Sequence, residues 1–84
     1  MTNITMYSKA YCPFCKAAKA LLEQKGLSYT EIDVADDESA RQEMLARSNN
    51  RKTVPQIFFD DIHIGGYSDL AELNQFDDIH RLVA

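Results

Sequence analysis

The sequence predicts an α/β domain with a four-stranded mixed sheet, built in the order βαβαββα and flanked by helices. Three observations support this fold class. Apolar residues alternate at a period of two in three runs, at 3–7, 29–34 and 54–64. Apolar residues recur at helical spacing between these runs and after the last one. The 84 residues, 45% of them hydrophobic, are enough for one domain spanning 1–84.

The first strand, at 3–7, leads into a turn that contains both cysteines, Cys12 and Cys15. A Cys-x-x-Cys motif between a strand and a helix is typical of a redox dithiol. The positive end of the helix dipole and the unpaired N–H groups there favour a thiolate at Cys12. Cys15 lies one turn further on, within reach of a disulfide, and Pro13 suits the first helical position. We therefore predict a switchable pair of cysteines.

Three other interpretations of the cysteines are open at this point. A mononuclear zinc site would need two more ligands, and the chain offers only His63 and His80. A purely structural disulfide would close so small a loop that it would add little stability. Buried, inert thiols would serve as small core residues. The position of the motif between a strand and a helix favours redox chemistry over all three.

The first helix is predicted over residues 13–25, with Gly26 as its C-terminal stop. Lys16 and Lys19 are interpreted as part of its solvated face, because charged side chains on a helix usually face water. The run 29–34 follows as a half-buried strand near a sheet edge. Because a helix connects them, the first two strands should be parallel, with a right-handed crossover.

The second helix is predicted to carry Asp36, Asp37 and Glu38 in its first turn, where carboxylates suit the helix dipole. Asn49 and Asn50 end it, since asparagine accepts a left-handed cap. Its apolar side consists of Ala40, Met44 and Leu45.

A β-hairpin is predicted at 54–64, because the period is two on both sides of the Asp60-Asp61 turn. Pro55 is restricted to the first residue of its strand, since it has no N–H to donate. A third helix is then predicted to open with residues 67–73.

Ser68 or Asp69 is expected to cap this third helix, and Asp69 with Glu72 has the spacing of a capping box. A last short helical segment is predicted at about residues 77–83. Its apolar side consists of Ile79, Leu82 and Val83.

The charge balance bears on partners and location. Nine basic and thirteen acidic residues give a net charge of −4, which argues against a nucleic-acid partner. No apolar run approaches the roughly 20 residues needed to span a bilayer, and residues 1–3 lack the features of a signal peptide. We therefore expect a cytoplasmic protein with no membrane partner. Structural disulfides are rare in that compartment, which favours catalytic cysteines.

Three motifs stand at element boundaries: Cys12-Pro13-Phe14-Cys15, Thr53-Val54-Pro55-Gln56-Ile57-Phe58 and Gly65-Gly66-Tyr67-Ser68-Asp69-Leu70. In this order they resemble the motifs of a dithiol glutaredoxin, similar to the small bacterial glutaredoxins. The resemblance covers essentially the whole chain. It implies a thioredoxin-like fold and a single glutaredoxin domain at 1–84.

The resemblance implies a glutathione-dependent thiol-disulfide oxidoreductase. The Cys12 thiolate would attack glutathione mixed disulfides and protein disulfides, Cys15 would resolve the intermediate, and glutathione would re-reduce the enzyme. Glutathione is then a co-substrate, and no tightly bound cofactor or metal is expected. The implied partners are glutathionylated or disulfide-bonded proteins such as ribonucleotide reductase, with glutathione reductase acting indirectly. The chain is expected to be a monomer.

The resemblance also implies a glutathione-binding site. A cis bond at Val54-Pro55 would lie against the cysteine turn, and the Val54 backbone would pair with the cysteine part of glutathione. The glycine pair and the third helix would hold the γ-glutamyl carboxylate, Asp69 would accept from the α-amino group, and Lys9 would face the glycine carboxylate. The implied binding residues are Lys9, Tyr11, Phe14, Thr53, Val54, Pro55, Gly66, Ser68 and Asp69.

Some roles and two further functions stay open. Either Arg41 or Gln42 could add a contact to the glycine carboxylate, and Tyr67 could either cover the glutathione groove or fill surface. One alternative function is a glutaredoxin-like electron donor that thioredoxin reductase recharges. The other is an iron–sulfur carrier in which two chains and two glutathiones share a cluster through Cys12. The proline in the turn and the second thiol disfavour the carrier.

Overall fold

The computed structural model describes residues 2–75 and 79. The helical segment predicted at 77–83 therefore lies outside the described residues, apart from Ile79, which is buried. Within the described residues, the elements follow the predicted order. They are β1 Ile4–Ser8, α1 Pro13–Gln24, β2 Thr30–Asp33, α2 Glu38–Arg47, β3 Gln56–Phe59, β4 Ile62–Gly65 and α3 Tyr67–Gln75. No described helix has both the length and the apolar character needed to cross a bilayer.

The four strands form one mixed sheet in the order β2-β1-β3-β4. β1 runs parallel to β2 and antiparallel to β3, and β3 and β4 form the predicted hairpin. The C-terminal end of β1, the N-terminal end of β3 and the C-terminal end of β4 therefore lie at the same edge of the sheet. This topology confirms the predicted fold class and brings the three motif-bearing loops together.

Alternation along the strands divides the core between the two faces of the sheet. In β1, Ile4 and Met6 pack toward one face and Tyr7 toward the other. The first face is covered mainly by α1 and α3, and its buried residues are Ile4, Met6, Ala18, Leu21, Leu22, Ile57, Phe59, Leu70 and Ile79. The second is covered by α2, and its buried residues are Tyr7, Val34, Ala40, Met44 and Phe58.

The start of α2 differs from the prediction. Asp36 and Asp37 lie before the helix rather than in its first turn, because Asp37 is the N-cap and its Oδ1 accepts the N–H of Ala40 at 3.0 Å. The C-terminal end is as predicted. Asn49 and Asn50 both adopt left-handed backbone conformations, with φ of 58° and 67°.

The capping predicted for α3 is wrong in its register. The helix begins at Tyr67, so Ser68 and Asp69 lie in its first turn, and Asp69 with Glu72 cannot form a capping box. Gly66 takes the N-cap position instead. The Asp69 Oδ2 accepts the Gly66 N–H at 2.9 Å. This is one of the two bonds of a capping box, in which the side chain of the third helical residue accepts the backbone N–H of the N-cap residue.

Two further expectations are wrong in detail. Pro55 precedes β3 rather than opening it, because it has no N–H to give to the strand ladder. Lys19 is not simply solvated: its Nζ lies 3.0 Å from Glu31 Oε2 on β2. The Ser8 hydroxyl donates to the same carboxylate oxygen at 2.6 Å, so this polar contact joins α1, β1 and β2.

Candidate active site

The three sequence motifs meet at one edge of the sheet. The cysteine turn follows β1, the Thr53-Val54-Pro55 loop precedes β3, and the glycine pair lies between β4 and α3. The Sγ of Cys12 lies 3.5 Å from the carbonyl oxygen of Val54. A Cβ added to Gly66 would lie 3.6 Å from the carbonyl oxygen of Pro55. Residues far apart in the chain therefore form one continuous surface around the first thiol.

Cys12 is the N-cap residue of α1, with extended backbone angles. Its sulfur accepts the N–H of Cys15 at 3.1 Å, and its S–H group can donate to the Val54 carbonyl. The first turn of α1 contains no acidic residue that would offset the positive end of the helix dipole. Cys12 is half-buried. The sulfur therefore lies at the positive end of the helix dipole, beside one N–H donor, and is only partly enclosed.

Cys15 differs from Cys12 in its surroundings. Its side chain is fully buried, and burial, with a smaller contribution from the hydrogen bond to Cys12, raises the pKa of the Cys15 thiol to about 12. Cys15 is therefore a thiol at neutral pH. Both cysteines are free. The accessible sulfur of Cys12 suits a nucleophile, and the buried, protonated sulfur of Cys15 suits the group that resolves the intermediate.

The loop before β3 has the cis Val54-Pro55 peptide that the resemblance implies. It is tied to the strand that follows: Gln56 Nε2 lies 2.9 Å from the Thr53 carbonyl oxygen and 3.1 Å from the Thr53 Oγ1. Val54 is half-buried, with its carbonyl directed to Cys12. The loop is thus a fixed wall beside the first thiol.

The start of α3 forms the opposite wall. Gly65 has a φ of 118°, and a Cβ there would overlap the Asp69 carboxylate and lie 3.1 Å from the Arg51 Nη1, so only glycine fits. The Gly66 N–H is already engaged by Asp69. By helix geometry, the N–H groups of Tyr67 and Ser68 have no acceptor within α3 and remain for an anion.

A cavity of about 170 Å³ lies between these walls. Among the described residues, its lining consists of Phe14, Arg51, Thr53, Val54, Pro55, Gly66, Tyr67 and Ser68. Three members of the predicted binding set do not line it. Lys9 is exposed, and its carbonyl accepts the Cys12 N–H at 3.3 Å. Tyr11 is 96% exposed, and the Asp69 carboxylate accepts the N–H of Gly66.

Sequence reasoning missed Arg51. Its Nη1 lies 3.9 Å from Asp69 Oδ2, a long contact between half-exposed side chains that leaves the guanidinium able to take another anion. The only sequence signal was the basic pair Arg51-Lys52 directly before the Thr53 motif. Arg41 and Gln42 both contact Glu38 instead, and neither lines the cavity.

The sequence does not decide whether Tyr67 covers the glutathione groove or fills surface, and in the structure Tyr67 lines the cavity. Its ring stacks on Phe14, with centroids 6.2 Å apart and planes inclined by 27°. Phe14 is 63% exposed, so the pair forms an aromatic rim over the groove. Within residues 2–75 and 79, no three His, Cys, Asp or Glu side chains come together as metal ligands would, so the zinc interpretation finds no ligand set there.

Comparison with known proteins agrees with this arrangement. The family model described as Glutaredoxin matches residues 4–64. The chain is 49% identical over 74 residues to glutaredoxin 3 of Escherichia coli (strain K12), covering 88% of each protein. It is similar to the solution structure of glutaredoxin from Brucella melitensis, with 40% identity, a TM-score of 0.85, and coverage of 99% of this chain and 89% of that one. It is also similar to a buckwheat glutaredoxin in complex with glutathione, with 25% identity, a TM-score of 0.86, and coverage of 98% and 76%. The chain has the thioredoxin-like fold of these relatives and belongs to the glutaredoxin family of thiol oxidoreductases.

Proposed function

We propose that the chain is a dithiol glutathione-disulfide oxidoreductase. One observation carries this proposal: the Cys12 sulfur accepts an N–H at the N-terminus of α1 and lies against Val54, which lines the cavity. A reactive sulfur beside a groove of this kind can hold a thiol-bearing peptide next to its nucleophile. The similar buckwheat glutaredoxin was solved with glutathione bound, which supports the tripeptide as the ligand.

In the first step, the Cys12 thiolate attacks the glutathione sulfur of a mixed disulfide. The S–S bond of the substrate breaks, a new S–S bond forms between Cys12 and glutathione, and the target leaves as a thiolate that takes a proton from water. A second glutathione, as its thiolate, then attacks the glutathione sulfur on Cys12. This releases glutathione disulfide and restores the Cys12 thiolate, while Cys15 takes no part.

A protein disulfide follows a different second step. Attack by Cys12 breaks the S–S bond of the target and leaves the target joined to Cys12 by a new disulfide. The Cys15 sulfur then attacks the Cys12 sulfur, forming a Cys12–Cys15 disulfide, and the reduced target leaves as a thiolate that takes up the proton lost by Cys15. Two glutathiones reduce the Cys12–Cys15 disulfide and leave as glutathione disulfide. Two of the contributions that raise the pKa of Cys15 come from the hydrogen bond and the charge of Cys12. Both contributions end once Cys12 is in a disulfide, whereas burial, the largest cause of the raised pKa of Cys15, remains.

The proposed pose of glutathione uses the two walls of the cavity. Its cysteine part pairs with the backbone of Val54 as a short antiparallel segment. A carboxylate lies at the N–H groups of Tyr67 and Ser68, where the Arg51 guanidinium adds an opposite charge. Phe14 and Tyr67 cover the peptide from above. Lys9 and Tyr11 lie outside this cavity, and we propose for them only contacts with the parts of a substrate that extend beyond it.

The remaining expectations are proposals at the same level. We infer a single domain over 1–84, a cytoplasmic monomer, no tightly bound cofactor, and glutathione as co-substrate with glutathione reductase restoring it. Glutathionylated proteins and disulfide enzymes such as ribonucleotide reductase are the proposed targets. The net charge of −4 supports a protein rather than a nucleic-acid partner.

Two serine variants test the proposal in a glutathione-coupled assay with a glutathionylated peptide. Cys12→Ser should abolish turnover, whereas Cys15→Ser should retain it, because a second glutathione discharges Cys12. An active Cys12→Ser protein would rule out the assignment. Replacing glutathione and its reductase by thioredoxin reductase should stop turnover; continued turnover would favour the alternative electron donor.

A further inference from the structure

A chain of hydrogen bonds connects β4 to the loop beside the first thiol. The His63 Nε2 on β4 lies 2.7 Å from Gln56 Oε1 at the start of β3. The Gln56 Nε2 lies 2.9 Å from the Thr53 carbonyl oxygen and 3.1 Å from the Thr53 Oγ1. Gln56 is fully buried, so its amide has no access to water as an alternative partner. Neither His63 nor Gln56 lines the cavity.

The chemistry of the acceptors sets the direction of every bond in this chain. A carbonyl oxygen can only accept, so the amide nitrogen of Gln56 must face Thr53. The amide oxygen must then face His63, and it too can only accept. His63 therefore donates from Nε2–H. Rotating the Gln56 amide by half a turn would place two carbonyl oxygens against each other, and the His63 donor favours the productive orientation.

The surroundings of His63 suit this role. Its ring stacks on Phe58, with centroids 4.8 Å apart, and the Arg47 guanidinium lies over the Phe58 ring at 4.2 Å. Burial, followed by the positive charge of Arg51, lowers the pKa of His63. Arg47 adds to this effect, and the Asp69 carboxylate opposes it. A neutral imidazole with one proton can take only one of two tautomers, and the Gln56 oxygen selects the one protonated at Nε2.

We propose that His63 is a positioning residue for substrate binding, acting through Gln56 on the Thr53-Val54 backbone. The chain of bonds holds the carbonyl and hydroxyl of Thr53, and Thr53 in turn orients Val54, whose backbone faces Cys12. This inference rests on the proposed function, since Val54 is the segment with which glutathione would pair. Loss of the His63 donor weakens substrate binding and leaves the sulfur chemistry at α1 unchanged.

Two variants at one position separate positioning from packing. His63→Phe keeps a ring to stack on Phe58 but removes the donor. His63→Gln restores an N–H group near the position of Nε2 without the ring. With a glutathionylated peptide, His63→Phe should raise KM about five-fold, as expected for losing one hydrogen bond that orders the loop, and leave kcat almost unchanged. His63→Gln should return KM to the wild-type value.

An unchanged KM in His63→Phe would overturn the proposal, as would a KM in His63→Gln that rises as much as in His63→Phe, because a restored donor would then not restore binding. A rise in His63→Gln alone would indicate that only the stacking on Phe58 matters. Wild-type turnover tests the proposed function separately. An inactive wild-type protein would rule out that function. An active wild-type protein together with an unchanged KM in His63→Phe would rule out only the positioning role. A second measurement needs no variant. Nitrogen NMR of the wild-type imidazole at pH 7.5 should show the proton on Nε2, and a proton on Nδ1 instead would contradict the bond direction.

Discussion

Burial separates the two cysteines at the scale of single residues. Cys15 is fully enclosed, and its pKa is raised to about 12, whereas Cys12 is half-buried at the helix tip. We predict that iodoacetamide at pH 7 alkylates the reduced, folded protein once, at Cys12, and that denaturant exposes both thiols. Mass mapping of the peptides identifies the site. Alkylation of Cys15 in the folded protein while Cys12 stays free would contradict this account.

Gly65 is the glycine that the site requires most. Gly65→Ala combines a φ of 118° with overlap between the new Cβ and the Asp69 carboxylate. We predict a loss of about 2 kcal/mol in the free energy of unfolding, since backbone strain adds to the loss of the Asp69–Gly66 hydrogen bond when the carboxylate moves aside.

Gly26→Ala is the matched control for Gly65→Ala. It has a φ of 72°, but no atom lies within 4 Å of its added Cβ. This substitution should therefore cost only about 1 kcal/mol of backbone strain. Urea unfolding of both variants measures the difference, and equal losses would show that the Asp69 carboxylate does not occupy the space above Gly65.

At the residue scale, the motifs showed which loops carry the site but not every contact. Cys12 and Val54 were predicted to be neighbours, and the Cys12 Sγ lies 3.5 Å from the Val54 carbonyl oxygen. Arg51 could not be predicted, because its approach to Asp69 depends on how the hairpin and α3 pack after folding. Asp69 was expected either to cap α3 or to bind the α-amino group of glutathione. In the structure its carboxylate, at the third position of α3, accepts the N–H of the N-cap residue Gly66.

Element ends depend on single hydrogen bonds, and the N-cap of α2 is the clearest case. Asp37→Ala removes the side chain that accepts the Ala40 N–H, and we predict a loss of about 1 kcal/mol in the free energy of unfolding. Asp36→Ala is the matched control: its side chain is exposed, lies outside the helix and should change stability little. Thermal unfolding of Asp37→Ala, Asp36→Ala and the wild type compares their stabilities. A larger effect at Asp36 would mean that the helix begins earlier.

The elements themselves could be predicted from periodicity, because the burial of one face sets a repeat of two in strands and 3.6 in helices. All seven described elements were found in this way, but their ends were less certain. The third helix was predicted from the stretch that begins at Tyr67, where α3 does start, but its cap was predicted at Ser68 or Asp69, which lie in its first turn. The N-terminus of α3 is set by the glycine pair and by the hydrogen bond from the Gly66 N–H to the Asp69 carboxylate. No periodic pattern reveals such a bond.

At the scale of the whole molecule, one carboxylate links α1, β1 and β2. The Ser8 hydroxyl and then Lys19 lower the pKa of Glu31 below its ordinary value of 4.5. A carboxyl with a depressed pKa in the folded state stabilises the fold above its unfolded pKa, and this contribution is lost as the pH falls through the folded pKa. We therefore predict that Glu31→Gln is less stable than the wild type at pH 7.

The same reasoning predicts how that difference changes with acid. As the pH falls below about 4.5, the wild type loses the stabilisation from Glu31 and the gap to Glu31→Gln closes. Glu38→Gln is a suitable control, because Glu38 is exposed and contacts only residues of its own helix. Urea midpoints measured from pH 7 to pH 3 provide the comparison. A gap for Glu31→Gln that stays constant over this range would contradict the linkage.

The strand order explains why the site forms, and it was only partly predictable. A parallel pair and an antiparallel hairpin followed from the connections. The pairing of β3 with β1 rather than with β2 did not, because periodicity shows which face of a strand is buried and not which neighbour it pairs with. That pairing brings the Thr53-Val54 loop beside the end of β1, and thus beside Cys12.

The central claim is that Cys12 is a nucleophile beside a groove that accepts glutathione. The most direct measurement is intact-protein and peptide mass spectrometry of the Cys15→Ser protein after incubation with glutathione disulfide at pH 7. We predict the mass of one added glutathione group, located on Cys12 and removed by excess glutathione. A protein that gains no such mass, or gains it anywhere other than Cys12, would contradict the claim.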